Sequence, residues 1–282
     1  MSETLILYPL GSSGWIPSNG QQTMCFAFVR ADEVFVIDAG TGISRFLELK
    51  ENLFKHWWGA IRRVHIFLTH YHFDHVTGLF WVRAIFKDTP VTVYAPGRAA
   101  YGRTAQETLG GLFRKPYSPH SFMELIPSVK VVDLDPPGLK IDSGGEPFDI
   151  GVKVNLGHSD PTVSLRFGDS FAFVTDTPPE VETIQFVRGV KVLLHESWYD
   201  SSGSFVDDGD DLGRHGDGPH TGSFGAGLIA KRAGVSRLYL VHHNPERSIE
   251  EARSDAAKVS ERLGIDCRAA LDLMEIQIDP RN

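Results

Sequence analysis

Thr69-His70-Tyr71-His72-Phe73-Asp74-His75 decides how this chain is read. The stretch follows the short apolar run Arg63 to Leu68, which predicts a strand, so four ligand-type side chains stand at a strand end. Imidazole nitrogens and carboxylate oxygens are the usual ligands of borderline divalent ions. In an extended loop alternate side chains point the same way, so His70 and His72 are expected on one ion. Asp74 and His75 fall where the chain turns into the next helix, and are expected to diverge towards a second ion beside the first. A catalytic site keeps a coordination position open for water, so further ligands must come from elsewhere.

The distant candidates also lie at strand ends. His158 follows Val152 to Leu156, Asp176 follows Phe171 to Thr175, and His242 follows Leu238 to Val241. Strand ends converge on one rim of a sheet sandwich, so the three are expected to close the site. Asp176, with two oxygens, is the natural bridge. His243 competes with His242 for the last place, and His242 is favoured because it directly follows the strand. His56, His65, His120 and His215 lack companions or lie inside a strand, and are read as structural.

Outward from this cluster, the chain reads as strands punctuated by helices. Leu5 to Leu10, Met24 to Arg30, Glu33 to Asp38, Val91 to Tyr94, Val129 to Leu134, Val163 to Phe167 and Val190 to Leu194 complete the strand candidates. Ile43 to Trp58, Leu79 to Phe86, Gly222 to Ala233 and Ile249 to Leu263 have helical spacing, and residues 101 to 127 read as a helix and loop. Runs of strands with helices in both halves imply two packed sheets with helices outside. No Pro/Gly/Ser-rich linker divides the halves, so one domain over residues 1–282 is expected. Asp200 to Gly218, rich in Gly, Asp and Ser, is expected to be a loop.

The chain of 282 residues carries 36 acidic and 28 basic residues, a formal charge of −8. Such a surface repels polyanions and argues against a dedicated nucleic-acid binder. The two cysteines, Cys25 and Cys267, make neither a disulfide framework nor a Cys-type zinc site. No signal peptide and no membrane-spanning apolar run is visible, so a reducing cytoplasm is the expected compartment.

His70-x-His72-x-Asp74-His75 resembles the HxHxDH signature of the metallo-β-lactamase superfamily. Asp38-Ala39-Gly40 resembles that superfamily's early Asp-x-Gly turn, Gly157-His158-Ser159 its third-histidine motif, Val174-Thr175-Asp176 its bridging aspartate, and Val241-His242 its last histidine. The resemblance implies an αβ/βα four-layer sandwich with the site on one edge, and the signature specifies fold better than substrate. Leu194-His195-Glu196-Ser197 resembles the His-Glu-Ala-Thr segment of the tRNA 3′-processing ribonuclease and phosphodiesterase branch. Pro219-His220-Thr221-Gly222-Ser223 resembles the branch's next His-Ser/Thr segment, His242-His243-Asn244-Pro245 its closing motif, and Gly111 to Leu125 a segment common there. The protruding arm of the tRNA-processing enzymes has no clear equivalent among residues 135 to 155.

The resemblance therefore implies a phosphodiesterase acting on a small phosphodiester or cyclic nucleotide. Its cofactors are expected to be two divalent ions, zinc first, with manganese or iron as alternatives, sharing a water that they ionise. Asp74 would orient that water, His220 would be the general acid, and Glu196 would hold its imidazole in the right tautomer. His195 is read as structural, and Asp38 as a brace for the loop bearing His70. The rivals are a lactonase or thioesterase on the same scaffold, a tRNA 3′-processing endoribonuclease, and an iron dioxygenase. A homodimer is the assembly expected at the level of the superfamily.

Overall fold

Phe35, Val36 and Ile37 follow one another along a single strand, and all three are fully buried. Successive side chains of a strand face opposite ways, so this strand needs a covering layer on each side. Phe35 and Ile37 join one apolar cluster and Val36 another. That arrangement makes a four-layer molecule with three separate interiors.

The computed structural model describes residues 4–49, 60–118, 120–125, 129–200, 212 and 218–279. The first sheet contains β1 (Leu5–Gly11), β2 (Cys25–Arg30), β3 (Glu33–Ile37), β4 (Arg63–Phe67), β5 (Val91–Ala95) and β6 (Val129–Asp133). The second contains β7 (Gly138–Ser143), β8 (Glu146–Asn155), β9 (Thr162–Phe167), β10 (Phe171–Val174), β11 (Val192–Glu196), β12 (Arg237–Val241) and β13 (Asp266–Ala269). β14 (Ile276–Ile278) returns to the first sheet and pairs antiparallel with β1. Among the described residues each sheet has seven strands, in the orders β14-β1-β2-β3-β4-β5-β6 and β13-β12-β11-β10-β9-β8-β7. β3 to β6 pair in parallel, as do β10 to β13. This is the αβ/βα sandwich that the motif implied.

Aromatic rings fill the space between the sheets. Phe28 from the first sheet meets Phe171 from the second edge to face, with centroids 5.5 Å apart, and Phe26 meets Phe173 at 5.1 Å. Truncating such a ring to alanine typically costs about 3–5 kcal/mol. Outside the second sheet lie helices Ser223–Ala233 and Ile249–Leu263, packed through Phe224, Ile229 and Val259. The latter starts on a capping box in which Ser248 and Glu251 satisfy each other's backbone N–H groups.

Several expected boundaries move. Leu79 to Phe86 is a 3-10 turn, Thr77–Trp81, followed by a short α-helix, Val82–Phe86. The helix expected over Ile43 to Trp58 is a 3-10 turn at Thr41–Ser44 running into Arg45–Leu49; residues 50–59 lie outside the described residues. Residues 101 to 127 contain helices Ala105–Leu112 and Phe122–Leu125. The loop expected at Asp200 to Gly218 lies outside the described residues except for 200, 212 and 218. Strand β8 is longer than expected and pairs with β7 as a hairpin, turning on Gly144-Gly145, both at positive φ. Residues 138–155 thus form the edge of the second sheet. No helix among the described residues is long and apolar enough to cross a membrane.

Candidate metal centre

Three residues just beyond strand ends hold left-handed backbone: Asp38 after β3 (φ 57°), Asp176 after β10 (φ 50°) and His242 after β12 (φ 53°). Such a conformation costs a non-glycine residue roughly 1–3 kcal/mol and persists only where its surroundings over-determine it. All three side chains turn towards His75. Asp38 Oδ2 lies 2.8 Å from its Nδ1, Asp176 Oδ1 lies 3.4 Å from its Nε2, and the His242 ring is 5.4 Å away.

His70, His72 and His158 form one group of ligand-type atoms, each within 4.8 Å of the others. The outer nitrogen of each ring is engaged, which fixes the tautomer and frees the inner one. His70 Nδ1 donates to Thr69 Oγ1 at 3.1 Å, and that hydroxyl donates in turn to Asp38. His72 Nε2 donates to Asp160 Oδ2 at 3.0 Å, so its Nδ1 faces His158 Nε2 at 3.3 Å. His158 Nδ1 donates to the Pro219 carbonyl at 3.2 Å.

Asp74, His75 and His242 form the second group. Asp74 Oδ2 lies 3.3 Å from His75 Nε2 and 3.4 Å from His242 Nε2. Asp176 lies between the groups: its Oδ2 is 3.8 Å from His158 Nε2 and 3.3 Å from His242 Nε2. Thus the seven residues that the sequence singled out, from four chain segments, come together.

Two divalent ions fit these residues. His70 Nε2 and His75 Nε2 are buried without a hydrogen-bond partner, a cost of about 1–3 kcal/mol for a polar atom left so. Both belong to the ligand groups, and a metal lone-pair acceptor would relieve them. The protonation balance agrees for His70 and the carboxylates; burial would lower the His75 and His242 imidazoles, but the flanking carboxylates outweigh it and raise both, so these two would release a proton on binding an ion. Burial and the nearby His75 push the His70 imidazole well below its ordinary value, leaving it neutral. Burial would raise the carboxyls of Asp74 and Asp176, but the surrounding imidazoles outweigh it and hold both below the usual carboxylate range. Neutral imidazole and ionised carboxylate are the ligating forms.

Beside this cluster, the fully buried Glu196 ends β11. Its Oε1 accepts from the Thr177 backbone N–H at 2.5 Å, and its Oε2 accepts from His220 Nδ1 at 2.8 Å. Burial pushes the Glu196 carboxyl up, and the His220 bond pulls it partly back. Trp198 stacks on the His220 ring, with centroids 4.9 Å apart and planes at 18°. A ring nitrogen of His220 also falls within 4.8 Å of ligand atoms of His158 and Asp176. The cleft above, about 270 Å³, is walled by Trp15, Trp198, Pro219 and His220. Larger grooves elsewhere, of about 430 and 700 Å³, contain none of these side chains.

The metallo-beta-lactamase superfamily model matches residues 18–242, a span from the loop before β2 to His242. The chain belongs to that superfamily. Its clustered ligand-type side chains form groups that could hold two metal ions. Among curated relatives, ribonuclease Z of Thermoplasma acidophilum is 31% identical over 122 residues, 42% of this chain and 34% of that protein. Ribonuclease Z of Halorubrum lacusprofundi is 35% identical over 77 residues, 27% of this chain and 22% of that protein. The matches thus span about a third or less of the relatives' length. Among solved structures, the metallo-beta-lactamase fold protein YhfI from Bacillus subtilis superposes with a TM-score of 0.70 at 17% identity, covering 98% of this chain and 100% of that one. A diphosphatase of the PhnP family gives 0.66 at 16%, covering 98% of each chain. The short form of human tRNase Z gives 0.66 at 18%, covering 97% and 99%. At such identities the superpositions establish the superfamily fold.

The remaining histidines separate cleanly. His243 Nε2 donates to the Ala270 carbonyl at 2.9 Å, away from the cluster, so His242 is the one beside Asp74. His65 is buried between Glu33 and Tyr94 and stacks on Phe35. His195 is buried in β11 with Nδ1 bonded to the Glu196 carbonyl. His120 belongs to no ligand group, and His56 and His215 lie outside the described residues. Asp38 braces Thr69 and His75, as the turn motif implied. Sequence reasoning missed Asp160, Trp15 and Trp198. Asp160 stands two residues after His158 in Ser-Asp-Pro, which reads as a turn. The signal for the tryptophans was their place beside Gly14 and Glu196-Ser197.

Proposed function

We propose that the chain is a phosphodiesterase acting on a small phosphodiester, with cyclic nucleotides within its range. The ions are assigned to His70, His72, Asp74, His75, His158, Asp176 and His242. Nitrogen and oxygen donors with no cysteine suit zinc first, and manganese or iron next. Bound there, the ions supply a water ionised near neutral pH and positive charge against the phosphoryl oxygens.

The observation that carries the reading is the 2.8 Å bond between Glu196 and His220 beside the ligand cluster. With Nδ1–H held by Glu196, His220 turns Nε2 outward, and in its protonated form that nitrogen is the free proton donor. A phosphodiester needs a proton at the departing alkoxide, and an imidazole oriented by a carboxylate supplies one near neutral pH. Trp198 stacked on the ring restricts its rotation. Asp74, which accepts from the Trp15 backbone N–H at 2.7 Å, keeps its carboxylate aimed at the open side of the cluster. A cleft of about 270 Å³ suits a small substrate. The free, buried cysteines suit the reducing cytoplasm expected for it.

Competing assays test this. Hydrolysis of bis(p-nitrophenyl) phosphate is expected to exceed that of p-nitrophenyl acetate and of a lactone in kcat/KM. A preference for the carboxylic esters would replace the phosphodiesterase with a lactonase or thioesterase. The ribonuclease Z alignments favour RNA 3′ processing as a second reading. The charge of −8 weighs against it, and cleavage of a precursor tRNA decides.

A further inference from the structure

Trp15 sits at the mouth of the cleft with 67% of its surface exposed. A single exposed apolar residue is ordinary. This one is held there by an arrangement that has no need of a tryptophan. Its backbone is left-handed, at φ 60°, a conformation that bulky side chains rarely adopt. Its N–H donates to Asp74 Oδ2 at 2.7 Å. Gly14 before it is tied to the His243 carbonyl at 2.9 Å, and the Ile16 N–H closes back onto the Gly14 carbonyl at 2.7 Å. The stems of the loop are fixed as well. Ser12 Oγ and the Gln22 N–H both donate to Asp272, at 2.8 and 2.7 Å. The backbone that carries the indole is therefore fixed beside the ligand cluster while most of the residue's surface stays uncovered.

Two further observations say what would cover it. The other tryptophan of the cleft, Trp198, already has a face taken by His220, which leaves Trp15 as the open aromatic surface. Among the described residues that line the cleft there is no lysine or arginine. Among the described lining residues, a second phosphate or a carboxylate on the substrate would meet no lysine or arginine. Such a wall suits a flat, uncharged group.

We propose that Trp15 is a substrate-binding residue that stacks on an aromatic, uncharged substituent of the diester, such as a nucleobase. The substituent concerned is the one that stays on phosphorus. Trp15 is tied to Asp74 through its backbone N–H, whereas the departing group is assigned to His220, which is tied to Glu196. The inference rests on the phosphodiesterase reading and narrows it to diesters with one phosphate and an aryl or nucleoside arm. Stacking of one base on one aromatic side chain is worth about a 5- to 100-fold change in binding.

Two diesters sharing a leaving group test this on the metal-loaded full chain: thymidine 5′-(p-nitrophenyl) phosphate and methyl p-nitrophenyl phosphate. Wild type is expected to favour the nucleoside diester through KM. Trp15→Ala should lower the ratio of the two kcat/KM values by about tenfold or more, again through KM, and Trp15→Phe should recover most of it. A ratio within about twofold of wild type in Trp15→Ala overturns the proposal, because a merely structural role would affect both diesters alike. Binding is read separately by tryptophan fluorescence. Thymidine 5′-monophosphate should quench wild type more than methyl phosphate does, and the difference should shrink in Trp15→Phe, where Trp198 is the tryptophan left in the cleft. A difference undiminished in Trp15→Phe, or absent in wild type, also overturns the proposal. Wild type that hydrolyses neither diester overturns the phosphodiesterase reading instead, and the quenching titration still decides the stacking.

Discussion

Asp38 Oδ2 accepts from His75 Nδ1 at 2.8 Å, and neither side chain reaches solvent. The same carboxylate accepts from the Thr69 N–H at 2.8 Å and from the Thr69 hydroxyl, which receives His70 Nδ1. One buried carboxylate thus orients an imidazole in each ligand group. Burial pushes its carboxyl up, and His75 and Thr69 pull it back. In Asp38→Asn the amide turns a donor towards donors at one of its ends. Metal affinity is expected to fall by about 10- to 100-fold, read by competition with a chelator. Wild-type affinity in the variant would mean that neither imidazole needs this partner.

The roles of His220 and Glu196 separate by metal count. If His220 is the proton donor, His220→Ala keeps two ions by elemental analysis and loses kcat by about 10²–10⁴. Loss of an ion would make His220 a ligand, for which its closeness to His158 and Asp176 gives it the reach. Glu196→Gln should fall between wild type and His220→Ala, because it disturbs the tautomer but leaves the imidazole in place.

Asp74 touches both His75 and His242, and its Oδ2 also receives the Trp15 N–H. Asp74→Ala should lose at least one ion per chain in elemental analysis of protein never exposed to chelator. Two retained ions would remove Asp74 from the ligand set.

How much of this could be read from the chain follows from where the signal is stored. β3, β4, β10 and β12 are short runs buried on both faces, so their apolar residues are contiguous and their ends stand out. The residue after each end is then conspicuous when it is Asp or His. β7 has one half-covered face and a polar sequence, Gly-Leu-Lys-Ile-Asp-Ser, and it becomes a strand only by pairing with β8. Tertiary pairing overrides propensity there. Trp15 meets the site through a backbone N–H to a residue 59 positions away. No side-chain chemistry announces such a contact. Asp160 is invisible for a similar reason, since its partner His72 lies 88 positions earlier.

Stability should fall in acid through buried histidines outside the ligand set. Burial brings the His195 imidazole down to about 4, against about 6.5 for an unperturbed histidine. Above pH about 6.5 neither the folded nor the unfolded chain protonates it, and its full contribution is present. Between about 6.5 and 4 only the unfolded chain takes up the proton, so stability is lost as pH falls through that window. The loss from this group alone approaches about 3 kcal/mol. Asn at 195 retains a side-chain N–H for the Glu196 carbonyl and does not titrate. The difference in urea-unfolding free energy between wild type and His195→Asn should therefore change across pH 6.5 to 4 in the variant's favour. A constant difference would show that His195 is protonated alike in both states.

Gly14 lies against the ring of His242. A Cβ built there would stand 2.6 Å from its Cε1 and 2.7 Å from its Nε2, far inside contact distance. Neither partner has room to yield. The ring is flanked by Trp198 at 5.3 Å and His75 at 5.4 Å, and the loop is fixed by the bond from the Gly14 N–H to the His243 carbonyl. Gly14→Ala must therefore displace Nε2 from the position it shares with Asp74 and Asp176. Content of the ion on that side should drop towards one ion per chain in total. Misplacing a reacting group by about 1 Å can cost about 10²-fold in rate, and kcat/KM should fall on that scale. The sheets are untouched, so the far-ultraviolet circular dichroism should match wild type. Two ions and undiminished turnover in Gly14→Ala would show that the loop moves aside at little cost, and that His242 is positioned by β12 alone.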